Sequence, residues 1–190
     1  MRPSFARLPR PFIVSVITED SPAGAIAAIR NSEYDGAQAF DLHLPKLRAE
    51  YRTLEEIRGI VLPTNKPILL IYYRDKAAGS ASPSDEERVE AQLLGLQAGA
   101  SAADLVADLY DPSPLQMTKN QQAIDKQRRL IDRIHRMGGE ALMSAHTWEP
   151  ISAERTVEFA KAIEARGVDM VKIANSARTE EDLLEAMRTT

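Results

Sequence analysis

Residues 138–175 read GGEALMSAHTWEPISAERTVEFAKAIEARGVDMVKIAN, and this stretch decides the fold. After two glycines comes an apolar run, EALMSAHTW (140–148). Ser152 then opens an amphipathic stretch, Gly167 closes it, and a second apolar run, VDMVKIA (168–174), follows. Apolar runs of this length, rich in branched residues, read as strands. A serine side chain accepts from the free N–H groups of a first helical turn, and glycine takes positive φ most easily just past the last turn. A strand reached through a helical crossover lies parallel to the one before it. The stretch is one βαβ unit.

Working outward, the same pattern recurs in FIVSVI (12–17), AQAFDLHL (37–44), PILLIYYR (67–74) and ADLVADLY (103–110). Helix starts are signalled by Ser21-Pro22, Thr53 with Glu56, Ser84 with Glu87, and Thr179 with Asp182. Stops are signalled by Gly36, Gly99 and Gly138-Gly139. The chain therefore reads β-α six times, and strands apolar at nearly every position are expected when both faces are covered. Successive strand starts advance by roughly 25 to 38 residues, the pitch of a TIM-type unit. The expected fold class is α/β, a TIM-type (β/α) barrel with six units visible of eight, as one domain over 1–190 that is incomplete at its C-terminus. The alternative, an open doubly wound sheet, is disfavoured because VITEDSPAG (16–24) carries no Gly-rich phosphate turn after the first strand. Six parallel units leave edges at 12–17 and 168–174, which further residues or a second subunit are expected to cover. The loose segments are KAAGSASP (76–83) and DPSPLQMTK (111–119).

Composition narrows the function. The 190 residues carry 24 Lys+Arg against 28 Asp+Glu, a net charge of −4, with 44% hydrophobic residues. That balance argues against a broad basic face for nucleic acid, and no run approaches the ~18 apolar residues of a membrane span. With no cysteine there is no disulfide, thiolate nucleophile or Cys-ligated zinc, and the three histidines, His43, His135 and His146, are far apart in sequence. A metal is not expected. The N-terminal MRPSFARLPRPF has three Arg and three Pro but no apolar core, so the cytoplasm is the expected location.

Lys172 is the strongest anomaly. Alternation places Met170, Lys172 and Ala174 on one face of the last strand, with Val171 and Ile173 on the other. Burial favours the neutral amine, the form that attacks a carbonyl carbon to make a Schiff base. A lysine that snorkels from the barrel mouth or pairs with a carboxylate is the bland alternative. His146 lies near the end of the preceding strand with Ser144 and Leu142 on its face, and it can move protons near neutral pH. A lone strand histidine is more often a satisfied core residue. Its position one βα unit before Lys172 brings the two to the same end of neighbouring strands. Asp41 and His43 share a face as a candidate acid–imidazole pair. Asp108 and Tyr110 share one on the fourth strand, VADLYD, and are candidates to bond polyol groups. KQRRLIDRIHR (126–136), with His135, reads as a solvated helix face. For Trp148, packing is the more ordinary role than capping the barrel mouth.

These residues carry a resemblance. Met143-Ser144-Ala145-His146, followed 26 residues after the histidine by Lys172 within Val171-Lys172-Ile173-Ala174, itself after Gly167-Val168-Asp169, resembles the S-x-H and G-A-D-x-x-K-I-A signatures of type I 3-dehydroquinate dehydratases. Those are Schiff-base-forming lyases of the shikimate pathway, on the route to aromatic amino acids, with a (β/α)8 barrel. Phe12–Ile17 resembles the family's first strand and Pro67–Arg74 the strand that ends in a substrate-binding arginine. The resemblance covers about residues 12 to 188, the family's first six units.

It implies that Lys172 forms the imine with the substrate ketone and that His146 shuttles protons through imine formation, α-proton removal and loss of water. Arg74 would contact substrate oxygens; Asp41 and His43, from their shared face, and Ser144, placed to hold a water or the imidazole, are the further candidate binding residues read from the strands themselves. The chain also departs from the pattern. The family's Glu-x-Arg-x-Asp on the second strand is here Asp41-Leu42-His43-Leu44-Pro45, and its Glu-Gly-Gly after the third strand is replaced in Arg74-Asp75-Lys76-Ala77-Ala78-Gly79-Ser80. The expected function is dehydration of a cyclic hydroxy-ketone carboxylate, most simply 3-dehydroquinate to 3-dehydroshikimate, by a degenerate or truncated member. The alternatives are a non-catalytic barrel homologue acting as a binding module and another class I aldolase-type enzyme. The expected partners are a small keto-acid and a second copy in a homodimer, with neither nucleic acid nor membrane.

Overall fold

The computed structural model describes residues 2–74 and 82–189. Its elements alternate as the sequence predicts: β1 (Val14–Ile17), α1 (Pro22–Tyr34), β2 (Ala39–His43), α2 (Leu54–Val61), β3 (Ile68–Ile71), α3 (Asp85–Ala98), β4 (Ala102–Val106), α4 (Gln121–Arg136), β5 (Glu140–Thr147), α5 (Ala153–Glu164), β6 (Met170–Asn175) and α6 (Glu180–Met187). The strands form one sheet in the order β1-β2-β3-β4-β5-β6. Sequential order is that of a barrel, because a doubly wound sheet reverses direction at a switch point. The fold is the TIM-type α/β fold, with six units, and the doubly wound alternative is excluded.

The punctuation read from the sequence holds in detail. Ser21, Thr53, Ser84, Ser152 and Thr179 each accept from a backbone N–H three residues on, and Ser84–Glu87 and Thr179–Asp182 are reciprocal capping boxes. Backbone N–H donors, Ser84 N for Glu87 and first of all Arg178 N for Asp182, hold these two carboxyls below the usual carboxylate range. Gly99, at φ +119, ends α3 in a left-handed conformation that any Cβ would strain.

Two compact units make up the chain. The first comprises residues 1–104 and 134–140. In it β1, β2 and β3 pair in parallel, with Asp41 in register with both Val16 and Leu69, and His43 with Ile71. Helices α1, α2 and α3 pack as successive neighbours. β3 is buried at all four positions, so it is the continuous apolar run of a strand covered on both faces.

The second unit comprises residues 105–133 and 141–190. Here β5 and β6 pair in parallel and α5 packs on β6. Within this unit helix α4 buries Ala123, Gln127, Leu130 and Ile131, the i, i+4, i+7 stripe of an amphipathic helix; His135, which belongs to the first unit, is exposed as expected. Gln127 is the polar member of this stripe. Its Nε2 donates to the carbonyls of Ala107 (3.3 Å) and Leu109 (2.9 Å), and its Oε1 accepts from Arg166 Nη1 at 2.6 Å.

Arg166, 4% exposed, also donates to the carbonyls of Ala107 (2.6 Å) and Thr118 (3.1 Å). Burial, with Arg128 nearby, pushes its guanidinium down to about 10, so it stays charged at neutral pH. Replacing Arg166 with Met relieves a buried charge but strips donors from two carbonyls and an amide oxygen. The net effect expected is a loss of about 2–4 kcal/mol, read as a lower urea midpoint at unchanged m. An unchanged midpoint would show that these bonds contribute nothing.

Strand ends differ from the sequence reading, β3 stopping at Ile71, short of Arg74. The fourth run was expected to extend to Tyr110, but β4 stops at Val106, and Asp108 and Tyr110 lie in the loop that follows. Tyr110 has φ +71, which no strand accommodates, and buried Asp108 accepts from Ser113 N at 2.8 Å. The pair therefore does not share a strand face. Trp148 was expected to pack, yet it is 60% exposed, because β5 ends at Thr147 and the chain turns outward. Of the two loose segments, 111–119 is described, whereas 76–81 and the departure after Arg74 fall outside the described residues.

Candidate active site

Strand β5 brings Leu142, Ser144 and His146 to one face, and the register with β6 sets Ser144 opposite Lys172 and His146 opposite Ala174. Directly opposed residues in a sheet share a face, so Lys172, Ser144 and His146 share one face of β5 and β6, with His146 one residue from the end of β5. Ser144 is fully buried, while Lys172 and His146 are half-buried. The other face of the same strands carries different contacts: Met143 Sδ meets the Arg166 guanidinium, and Asn175 bridges Thr147 and Thr156. An amine beside an imidazole, both partly screened from water, can attack a carbonyl and move the protons that the attack requires.

The sequence missed the contact that fixes His146. Gln116 Oε1 lies 2.8 Å from His146 Nδ1 and 3.1 Å from His146 N. β4 has ended by this level: Ala107 N still donates to Ser144 O at 2.8 Å, and beyond it the Gln116 side chain takes the place of a strand carbonyl. Gln116 is itself at φ +51. No pattern in DPSPLQMTK marks it, since its use depends on where the neighbouring strand stops.

In the first unit, Asp41 and His43 are half-buried on one face of β2, as alternation predicts. The His43 ring stands edge-on to Tyr73, centroids 6.3 Å apart at 90°. Tyr73 in turn donates to buried Asp104 Oδ2 at 2.5 Å. Arg74 lies three residues beyond β3 and holds Asp85 through two bonds, Nε to Oδ1 at 3.0 Å and Nη2 to Oδ2 at 2.8 Å. Asp85 also accepts from Arg88 and opens α3, where the helix dipole favours a carboxylate. Arg74 is thus oriented by a fork-to-fork pair.

Among the described residues no group of three or more His, Asp and Glu is arranged to hold a metal ion. No described helix is long and apolar enough to cross a membrane. A cavity of about 900 Å3 in the second unit lies along α4 and α5, lined by Lys119, Arg128, Phe159 and Arg166 among others. Its lining includes neither His146 nor Lys172.

The family model of type I 3-dehydroquinase matches residues 13–190. The chain belongs to the type I 3-dehydroquinase family. Solved structures agree on the fold of this dehydroquinase relative. 3-Dehydroquinate dehydratase from Geobacillus kaustophilus aligns with a TM-score of 0.79 at 12% identity, over 100% of this chain and 72% of that one. The enzyme from Enterococcus faecalis gives 0.77 at 17% identity, over 94% and 72%. The type I enzyme from Clostridium difficile, crystallised with covalently modified comenic acid, gives 0.72 at 13% identity, over 100% and 75%. No curated protein sequence matches the chain. The family and these neighbours are dehydratases, a class of lyases.

Proposed function

We propose that this type I dehydroquinase-family chain is a Schiff-base-forming dehydratase acting on 3-dehydroquinate, with Lys172 as nucleophile and His146 as acid and base. The observation that carries this reading is the β5–β6 register, which sets Lys172 opposite Ser144 and two positions from His146 on the same face. The neutral amine of Lys172 adds to the substrate ketone, and the carbinolamine loses water as His146 protonates its hydroxyl. The resulting iminium is an electron sink, so the proton on the adjacent carbon becomes removable and His146 takes it. His146 then returns that proton to the departing hydroxyl, a second water leaves, and hydrolysis of the imine frees the unsaturated keto-acid and Lys172. The imine supplies the activation, so the reading calls for no cofactor. The covalently modified ligand named for the Clostridium difficile enzyme supports a covalent course. Arg74, with Asp41, His43 and Ser144, completes the proposed binding set, in the cytoplasm and in a homodimer.

The test is the intact mass of the protein after borohydride treatment with 3-dehydroquinate, alongside a continuous assay for the conjugated product. Turnover together with one added ligand mass is the expected result. A folded protein giving neither would overturn the dehydratase reading in favour of a non-catalytic homologue.

A further inference from the structure

We infer that Gln116 is the positioning residue for His146, holding the neutral imidazole as the Nδ1–H tautomer and thereby making Nε2 its proton-accepting nitrogen. The inference rests on the acid–base reading of His146, but its geometry stands without it. One Gln116 atom, Oε1, is within hydrogen-bond distance of both His146 N (3.1 Å) and His146 Nδ1 (2.8 Å). A backbone N–H only donates, so the amide atom facing it is an acceptor, and the amide can be turned only one way. An amide oxygen cannot donate, so Nδ1 supplies the hydrogen of the second bond. The lone pair of the neutral ring is then on Nε2.

The loop is built to keep Gln116 there. Its φ of +51 is in the left-handed region, where a non-glycine residue stays only when its surroundings hold it. Gln116 N donates to Ser113 O at 3.1 Å and Met117 N to Ser113 Oγ at 2.8 Å. Ser113 N is anchored on Asp108 Oδ2 at 2.8 Å. On the other side, Arg166 Nη2 reaches Met117 Sδ at 3.4 Å and Thr118 O at 3.1 Å. The strained residue is therefore flanked on both sides by bonds to buried groups. An uncharged acceptor orients the ring without the field of a carboxylate, which would hold an imidazolium in its charged form. Gln116 thus suits a histidine that must take up and release a proton in each cycle.

Nitrogen-15 NMR of the histidine side chains, with His146 assigned by its loss in His146→Ala, reads the tautomer directly. In the unaltered protein at a pH where His146 is neutral, Nδ1 is expected to show a protonated, pyrrole-type shift and Nε2 a pyridine-type shift. Gln116→Met keeps the side-chain length and removes the acceptor. It should move the ring toward the Nε2–H form that histidine side chains prefer in water and lower kcat by roughly 10- to 100-fold with little change in KM. Gln116→Glu, which keeps an acceptor, should restore the Nδ1–H signature. A pyridine-type Nδ1 in the unaltered protein overturns the inference even if no variant folds. So does a tautomer change in Gln116→Met with kcat intact. Full turnover by His146→Ala would instead sink the acid–base reading while the tautomer result stood.

Discussion

Lys172→Ala is expected to abolish the borohydride-trapped adduct and to lower turnover by roughly 10³- to 10⁶-fold, the range seen when a covalent nucleophile is removed. Among Leu142, Ser144, His146, Met170, Lys172 and Ala174 on the shared β5–β6 face, the amine is the one group that can form an imine with a ketone, which a hydroxyl or an imidazole cannot. Lys172 is half-buried at a strand position, so the alanine variant should unfold within a few degrees of the unaltered protein. That separates loss of chemistry from loss of structure. Lys172→Arg should not rescue, because a guanidinium stays protonated and cannot attack. A Lys172→Ala protein that still gains one ligand mass would move the nucleophile elsewhere.

His146→Ala is expected to slow turnover by roughly 10²- to 10⁴-fold, the usual contribution of a positioned acid and base, while slow imine trapping persists. The two substitutions should not add. With no imine there is no activated proton to remove, so the double variant should be no slower than Lys172→Ala alone. A fully additive double variant would show that His146 acts apart from the lysine. Wild-type turnover in the single variant would leave it a structural residue.

Much of this was legible before the structure. The strand runs, the five Ser or Thr caps and the positive-φ glycines depend on local chemistry, and each survives in the folded chain. The shared face of Lys172, Ser144 and His146 follows from alternation once both strands are placed, and the register confirms it. What could not be read depends on tertiary context. Tyr110 and Arg74 continue apolar runs, yet β4 and β3 stop earlier, Tyr110 standing left-handed in the loop that follows and Arg74 pairing with Asp85. Gln127 occupies an apolar-stripe position of α4, a visible anomaly whose partners only the fold supplies. Arg166 looks like a cation at a helix end, and nothing local says that its head is buried.

The loop between β4 and α4 has a consequence for the time course of binding. Its amides at Ser113, Gln116, Met117 and Thr118 all donate to protein acceptors, so they should exchange with solvent more slowly than the amides of an ordinary surface loop. Ordering a flexible segment on binding takes roughly 1–2 kcal/mol per residue from the affinity. This segment is already ordered, so if His146 acts as proposed, a ligand meets a ring set in place and ordering of this loop should not limit how fast it is captured.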